Sequence, residues 1–352
     1  MRKSRKIIGA PAMALASGGS SRYSGEIRGL ARFLMSEMST DKGAFTFEGR
    51  EAMLEVVSAL DEVLNNRTPD QTISVLKGAQ VGMTTLAIGF ALYCVTIHRL
   101  NVGYFLPDQD FADRFDQTRV RSTLRRRGLA SLMRDGKYKG ASPKGLKEFP
   151  GRGGSRFLYI LGLRDIGNAI SIPLDVLIRD EVDDLPADNL KWSNDRIDAS
   201  PLALTLNLAV GRTPGAGIHA MFEAGDRRRW HVRCQACHAD SVLEEHWPKV
   251  FSGDALACPA CGGALDRGAG RWEAARARPR HRSYRLSQLA IGAVRLDRVA
   301  AKWAAARLPS EKARFRCSAL AAPDAGDTQP ISRELLRKLR DAAPYHLAEA
   351  PA

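Results

Sequence analysis

Segments in which apolar residues recur every three or four positions alternate along this chain with short, unbroken apolar runs. FEGREAMLEVVSALDEVL (47–64) has helical periodicity, and the polar turn NNRTPDQ leads from it into ISVLK (73–77). That run is short, rich in β-branched residues and stops at a glycine, which predicts a buried strand. LAIGFALYCVTIHRL (86–100) is apolar on nearly every side, as a buried helix is. Strands are predicted at VGYFLP (102–107), SRFLYIL (155–161), LDVLIRD (174–180) and LALTLNLAV (202–210). Basic helical sequence separates the first two. Apolar strands alternating with helices predict an α/β fold: a mostly parallel sheet with both faces covered by helices.

The remaining segments set the expected organisation. Residues 1–44 are rich in Gly, Ser and charge and predict a flexible basic segment, apart from a helix near Ile27–Met38. The opening MRKSRKIIGAPAMALASGG has a basic head, but its apolar stretch is short and broken by Gly9 and Pro11, so it reads as a tail rather than a cleaved leader. Residues 45–222 form the predicted core, and 223–282, where Arg, Cys and Gly dominate, an insertion. Residues 283–352 are expected to be helical, with amphipathic stretches at 296–308 and 331–347 and a disordered AEAPA end. No apolar run is long enough to span a bilayer.

Charge narrows the partners. Among 352 residues, 53 Lys+Arg oppose 39 Asp+Glu, a net +14 on an otherwise ordinary globular composition. A balance that basic predicts a polyanionic partner, nucleic acid before an anionic membrane surface. The six cysteines do not make a disulfide scaffold, which points to a reducing compartment.

Three motifs carry chemistry. Lys77-Gly78-Ala79-Gln80-Val81-Gly82-Met83-Thr84-Thr85 lies between a predicted strand and a predicted helix. Glycines there let backbone N–H groups cradle phosphates at a helix N-terminus, and Thr84 is placed to ligate Mg²⁺. Met83, however, stands where the phosphate-binding lysine of such loops is found, and it carries no charge. The strand 174–180 ends in Asp180-Glu181, which supplies a Mg²⁺-side carboxylate in Asp180 and a general base for the attacking water in Glu181. Together these predict a phosphate-loop NTPase core of RecA/ASCE type acting on ATP. Gly211-Arg212-Thr213-Pro214, after the last predicted strand, offers Thr213 as a sensor of hydrolysis; a simple Thr-Pro turn remains open.

The insertion carries its own signature. Cys234 and Cys237 are followed, after twenty intervening residues, by Cys258 and Cys261, and Gly262-Gly263 closes the second pair. This spacing predicts a four-cysteine Zn²⁺ ribbon, with two disulfides as the opposed reading. His238 reads as a neighbour, and Cys94 and Cys317 as packing residues. Arg227, Arg228 and Arg229, with Arg276, Arg278, Arg280, Arg282 and Arg285, frame the ribbon. They suit either a DNA-backbone contact or a solvated basic face.

In order and spacing, these segments resemble the lambda-type large terminase subunits, the GpA-like family of tailed phages and prophages. The resemblance runs from about Phe47 to Tyr345 and rests on KGAQVGMTT, YFLPDQDFADRF, IRDEVDDLP, GRTP, WHVRCQACH with CPACGG, and YRLSQLAI with AAKWAAA. It implies an ATP-driven motor that threads double-stranded DNA through a portal into a preformed capsid. It also implies a small terminase subunit as partner, a homo-oligomeric ring and the bacterial host cytoplasm, without a membrane. The sequence stops where the family's nuclease domain would begin, so DNA cleavage is not expected from this chain. Some lambda-type members are similar in carrying their functional lysine at the first loop position, which implies that Lys77 replaces the charge missing at Met83. The opposed reading is a decayed prophage gene, at most an ATP- and DNA-binding zinc-ribbon protein. A helicase-like DNA-dependent ATPase would share the motifs but would need a second RecA-like lobe.

Overall fold

The computed structural model describes residues 29–40, 43–127, 145–151, 153–170, 172–253 and 255–326, with 337, 340 and 341. The expected basic tail and AEAPA end, and most of the expected helix 331–347, fall outside the described residues.

Helix α1 (Gly29–Glu37) occupies the site expected near 27–38 and buries Leu30 and Leu34. Strands β1 (Ser39–Thr40) and β2 (Gly43–Ala44) pair as a small hairpin. Helix α2 (Leu54–Asn66) realises the periodic stretch; Val56, Val57, Leu60, Val63 and Leu64 all turn inward. Strand β3 (Thr72–Lys77) follows, then α3 (Met83–Thr96), buried on nearly all sides as its sequence requires. After β4 (Val102–Leu106) come α4 (Gln109–Phe115), capped by the Asp108 carboxylate on the Phe111 N–H, and α5 (Arg121–Arg127). Then come β5 (Leu146–Phe149), β6 (Arg156–Gly162), β7 (Val176–Asp180), α6 (Ala187–Asn194), β8 (Leu204–Ala209) and α7 (Gly217–Ala224).

The insertion contributes β9 (Arg228–Arg233), β10 (Asp240–Val242), β11 (Phe251–Ser252), β12 (Ala255–Leu256) and β13 (Gly270–Glu273). Strand β14 (His281–Leu286), α8 (Leu296–Ala305) and α9 (Pro309–Leu320) complete the described chain. Among the described residues no helix is long and apolar enough to cross a membrane.

The main sheet runs β10-β9-β14-β3-β8-β7-β4-β6-β5, with β13 as a second partner of β9. From β9 through β6 every neighbour is parallel; β5, β10 and β13 are the antiparallel additions. Strand β8 sits between β3 and β7, so the strands bearing the two predicted chemical motifs are separated by one strand, as the expected RecA/ASCE-like core requires.

The expectation of a helical segment from 283 onward is corrected at its start. Residues 281–286 form β14, a strand hydrogen-bonded to β3 over its whole length. HRSYRL conceals this because only Ser283, Tyr284 and Leu286 are fully buried, while Arg282 and Arg285 reach carboxylates at its flanks. Nor does the insertion stand apart: β9 pairs in parallel with β14, so the cysteine-bearing hairpin continues the sheet.

A buried polar chain crosses the middle of the sheet. Arg179 on β7 donates to Asn207 on β8, Asn207 to Ser74 on β3, and Ser74 meets His281 on β14 at 2.9 Å. Arg179 is also satisfied by Ser193, Asn194 and the Leu190 carbonyl, neutral acceptors all. Burial lowers its pKa to about 10. Such a chain pins the strand register, because a one-residue slip would strand each donor in the apolar core.

At the end of β6 the backbone runs against α4. A methyl group on Gly162 would lie 2.1 Å from the Gln109 nitrogen and 2.2 Å from the Asp108 carbonyl carbon. Overpacking against backbone costs about 1–3 kcal/mol. Gly162→Ala is therefore expected to lower the unfolding free energy by that amount and the urea midpoint with it; an unchanged midpoint would contradict the packing described.

Candidate functional site

A parallel sheet delivers all its strand ends to one edge, and here that edge collects the charged groups of an otherwise apolar core. Lys77 ends β3, Asp180 ends β7, and the Gly211–Pro214 loop follows β8. The Lys77 ammonium is buried and donates to Glu181 Oε1 at 2.9 Å, with Asp180 Oδ1 at 3.4 Å. Burial alone would lower the lysine pKa, but the Asp180 and Glu181 carboxylates outweigh it and hold the pKa above its ordinary value. Lys77 therefore stays charged inside the site.

Asp180 is almost fully buried and fully engaged. Its Oδ2 accepts from Thr84 Oγ1 at 2.8 Å and from the Tyr104 hydroxyl at 3.0 Å, and its Oδ1 from the Glu181 N–H at 3.0 Å. Oxygens bound side by side to an octahedral Mg²⁺ at about 2.1 Å lie about 3.0 Å apart. The Thr84–Asp180 oxygen pair fits that edge. Glu181 adopts φ 58, a left-handed conformation that turns its partly exposed carboxylate away from Asp180's pocket toward Lys77.

The loop between β3 and α3 has the geometry of an anion cradle. Gln80 and Gly82 are left-handed, at φ 57 and 99. Among the described residues, the N–H groups of Gln80, Val81 and Gly82 make no hydrogen bond within the chain. They lie at the N-terminus of a fourteen-residue helix, whose dipole favours negative charge. Met83 is 1 % exposed and packed in the main core, so its side chain does not project into the loop. Thr85, two residues on, is half-buried in the first turn of α3. Arg50 borders the loop from the other side: a methyl group on Gly82 would lie 3.5 Å from Arg50 Nε. Phe45 and Phe47, just before the short helix that starts after Arg50, are buried in the core.

Two residues of this site went unread in the sequence. Tyr104 lies within an apolar strand and shows no polar signal; burial and the neighbouring Asp180 push its pKa well above the usual value, so it stays a donor. Asp183 was legible only as part of an acidic run. Its carboxylate accepts from the Arg212 N–H at 2.9 Å and the Ile218 N–H at 2.8 Å, tying the loop after β8 and the start of α7 to the Asp180-Glu181 turn. Arg212 pairs with Asp184 on the same turn. Thr213 thereby sits in a loop anchored to the acidic turn, with its carbonyl accepting from Ala216.

The four predicted cysteines converge. Their Sγ atoms lie within 4.8 Å of one another, with Cys234–Cys261 and Cys237–Cys258 both at 3.7 Å. Four thiolates at about 2.3 Å from a tetrahedral Zn²⁺ stand about 3.8 Å apart, so the donor set fits. Backbone N–H groups of Cys237 and Ala236 bring the Cys234 thiol down to about 7, favouring the thiolate. All four are free thiols here, as are buried Cys94 and Cys317.

Most of the arginines framing the ribbon are paired, while Arg278 and Arg280 are exposed. Arg227 pairs with Glu223 at 2.8 Å, Arg228 with Asp226 at 2.7 Å and Arg229 with Glu245. Arg282 pairs with Glu62 at 2.9 Å, and Arg276 donates to the Gly225 carbonyl. They fasten the insertion to the sheet and its flanking helices.

The family model described as "Phage terminase large subunit gpA, ATPase domain" matches residues 55–278. No curated protein matches the chain in sequence. Among solved structures, the HK97 bacteriophage large terminase is similar at a TM-score of 0.55 and 11% identity, covering 84% of this chain and 54% of that one. This chain thus spans about half the length of that protein, and the likeness concerns the fold. The Thermus phage P74-26 large terminase ATPase domain shows a TM-score of 0.46 at 13% identity, over 75% of this chain and 91% of that one.

Metal content tests the cysteine cluster. The purified chain is expected to carry about one equivalent of zinc by elemental analysis, and Cys258→Ser or Cys261→Ser to lose most of it. Stoichiometric zinc in both variants would rule out the four-sulfur site.

Proposed function

The chain belongs to the gpA family of phage terminase large subunits, by its ATPase domain, and on that premise we propose that it is the ATP-hydrolysing subunit of a tailed-phage DNA-packaging motor. The observation that carries this reading is the Lys77 ammonium seated against Glu181 and Asp180 at the sheet edge, with Thr84 on the other face of Asp180.

In this reading the residues divide the work as follows. The N–H groups from Gln80 through Thr84 receive the nucleotide phosphates, and Gly78, Ala79 and Thr85 complete the loop's shape. Lys77, charged and adjacent to the loop, supplies the cation that Met83 cannot. Its position at the first loop residue lets it move from Glu181 to a terminal phosphate without a change of fold. Thr84 and Asp180 would hold Mg²⁺, which supplies charge neutralisation at the phosphates. Tyr104 keeps Asp180 oriented by donating to it. Glu181, once Lys77 turns to phosphate, takes the proton from the attacking water. The Asp183 contacts to Arg212 and Ile218 carry the state of the Asp180-Glu181 turn to the Thr213 loop.

The wider assignments follow the family. Residues 45–222 with β14 make the ATPase core, and the cysteine insertion holds Zn²⁺ as a structural element. Double-stranded DNA is the translocated polymer. A small terminase subunit, a portal and a homo-oligomeric ring complete the machine in the host cytoplasm.

Turnover of Mg-ATP with DNA present tests the site. Glu181→Gln is expected to keep ATP binding but lose about 10²–10⁴ in turnover, the usual contribution of a positioned proton acceptor. Lys77→Ala is expected to lose both affinity and rate. Met83→Lys buries a charge in the core and should destabilise the chain rather than activate it. An inactive wild type restored by Met83→Lys would overturn the assignment of Lys77.

A further inference from the structure

The first half of the phosphate loop is gripped from behind. The Gly78 N–H donates to the Leu286 carbonyl at 2.8 Å, at the end of β14, and the Ala79 N–H to the Ser318 carbonyl at 2.7 Å, near the end of α9. The Ala79 carbonyl accepts from the side-chain amide of Gln288 at 2.7 Å. Packing at Gly78 is tight: a methyl group there would lie 3.1 Å from the Ser318 oxygen and 3.2 Å from the Gln288 nitrogen. Ala79 is thus held through both its N–H and its carbonyl, by two elements far downstream in sequence. The N–H groups of Gly78 and Ala79 point outward, and those of the next three residues are left for a ligand.

Gln288 is an odd residue to find there on stability grounds. It is 4 % exposed, its Nε2 is committed to Ala79, and its Oε1 accepts no hydrogen bond within the chain. A buried acceptor without a donor is destabilising, and an apolar side chain of the same shape would pack without that penalty. What the amide alone supplies is the bond to Ala79.

The turn that carries Gln288 is itself braced. The Ser287 hydroxyl donates to Glu244 Oε2 at 3.1 Å, and Arg285 Nε lies 3.7 Å from Glu244 Oε1 while donating to the Ala321 carbonyl. Glu244 is fully buried and comes from the helical turn after β10, on the cysteine-bearing hairpin.

We propose that Gln288 is a positioning residue for the nucleotide phosphates: by fixing the Ala79 peptide it holds the following N–H groups toward the ligand. The proposal rests on the reading of Lys77–Thr85 as a nucleotide loop. Calorimetric titration of the purified chain with Mg-ADP tests it, alongside thermal melting and ATP turnover. Gln288→Leu is expected to melt within a few degrees of wild type yet bind ADP about tenfold more weakly, the loss of about one buried hydrogen bond's worth of affinity. KM for ATP should rise by a similar factor, more than kcat falls. Gln288→Glu keeps the shape but removes the donor, and should weaken ADP at least as much. Wild-type ADP affinity in both variants would overturn the positioning role. A wild-type chain that binds no ADP would instead remove the nucleotide reading on which the proposal rests.

Discussion

The site depends on a lysine ammonium held in the interior by two carboxylates. Removing such a charge from water costs several kcal/mol, and removing one partner of a buried pair costs about 3–5 kcal/mol. Lys77, Asp180 and Glu181 come from two strands that are not neighbours, β3 and β7. Their meeting requires β8 between them in register, with Leu76 opposite Ala209 and Asp180 opposite Leu208. The buried chain through Arg179, Asn207, Ser74 and His281 fixes that register from within the sheet. Chemistry at the edge and polar order in the middle are thus consequences of one strand alignment.

The sheet also shows what several of the arginines do. A net charge of +14 suggests a surface prepared for a polyanion. Around the cysteine insertion several arginines are paired rather than free: Arg227, Arg228, Arg229 and Arg282 face carboxylates of α2, α7 and the hairpin itself. Exposed pairs of this kind are worth about 0–1 kcal/mol each, so they act as orientation rather than as stability. Strands β9 and β14 pair through their backbones, and β14 lies directly beside β3, the strand that ends at Lys77. The four-cysteine cluster therefore begins at the end of β9, a strand separated from β3 by β14 alone.

Local chemistry was sufficient for much of this. Unbroken apolar runs announced β3, β4, β6, β7 and β8, since a strand buried on both faces has no polar alternation to confuse the signal. The cysteine spacing announced the four-sulfur cluster, because two short turns bring thiolates together whatever surrounds them. The glycine-bearing loop and the Asp180-Glu181 strand end were legible as chemistry because each motif is contiguous.

What the sequence could not decide is what depends on distant partners. Strand β14 is hidden by its arginines, whose charges are answered by Glu62 and Glu244 far along the chain. Tyr104 reads as one more apolar strand residue until the fold sets its hydroxyl on Asp180. Lys77 was legible through the resemblance as the loop's cation, but its contact with Glu181 exists only once β3 and the turn after β7 end side by side, and the packing of α3 is what buries Met83. Gln288 lies more than two hundred residues from Ala79 in sequence, and its amide finds that carbonyl only because β14 and β3 end side by side. Motifs are local, and a chain can write them down; hydrogen bonds between strand ends exist only once the sheet has chosen its order.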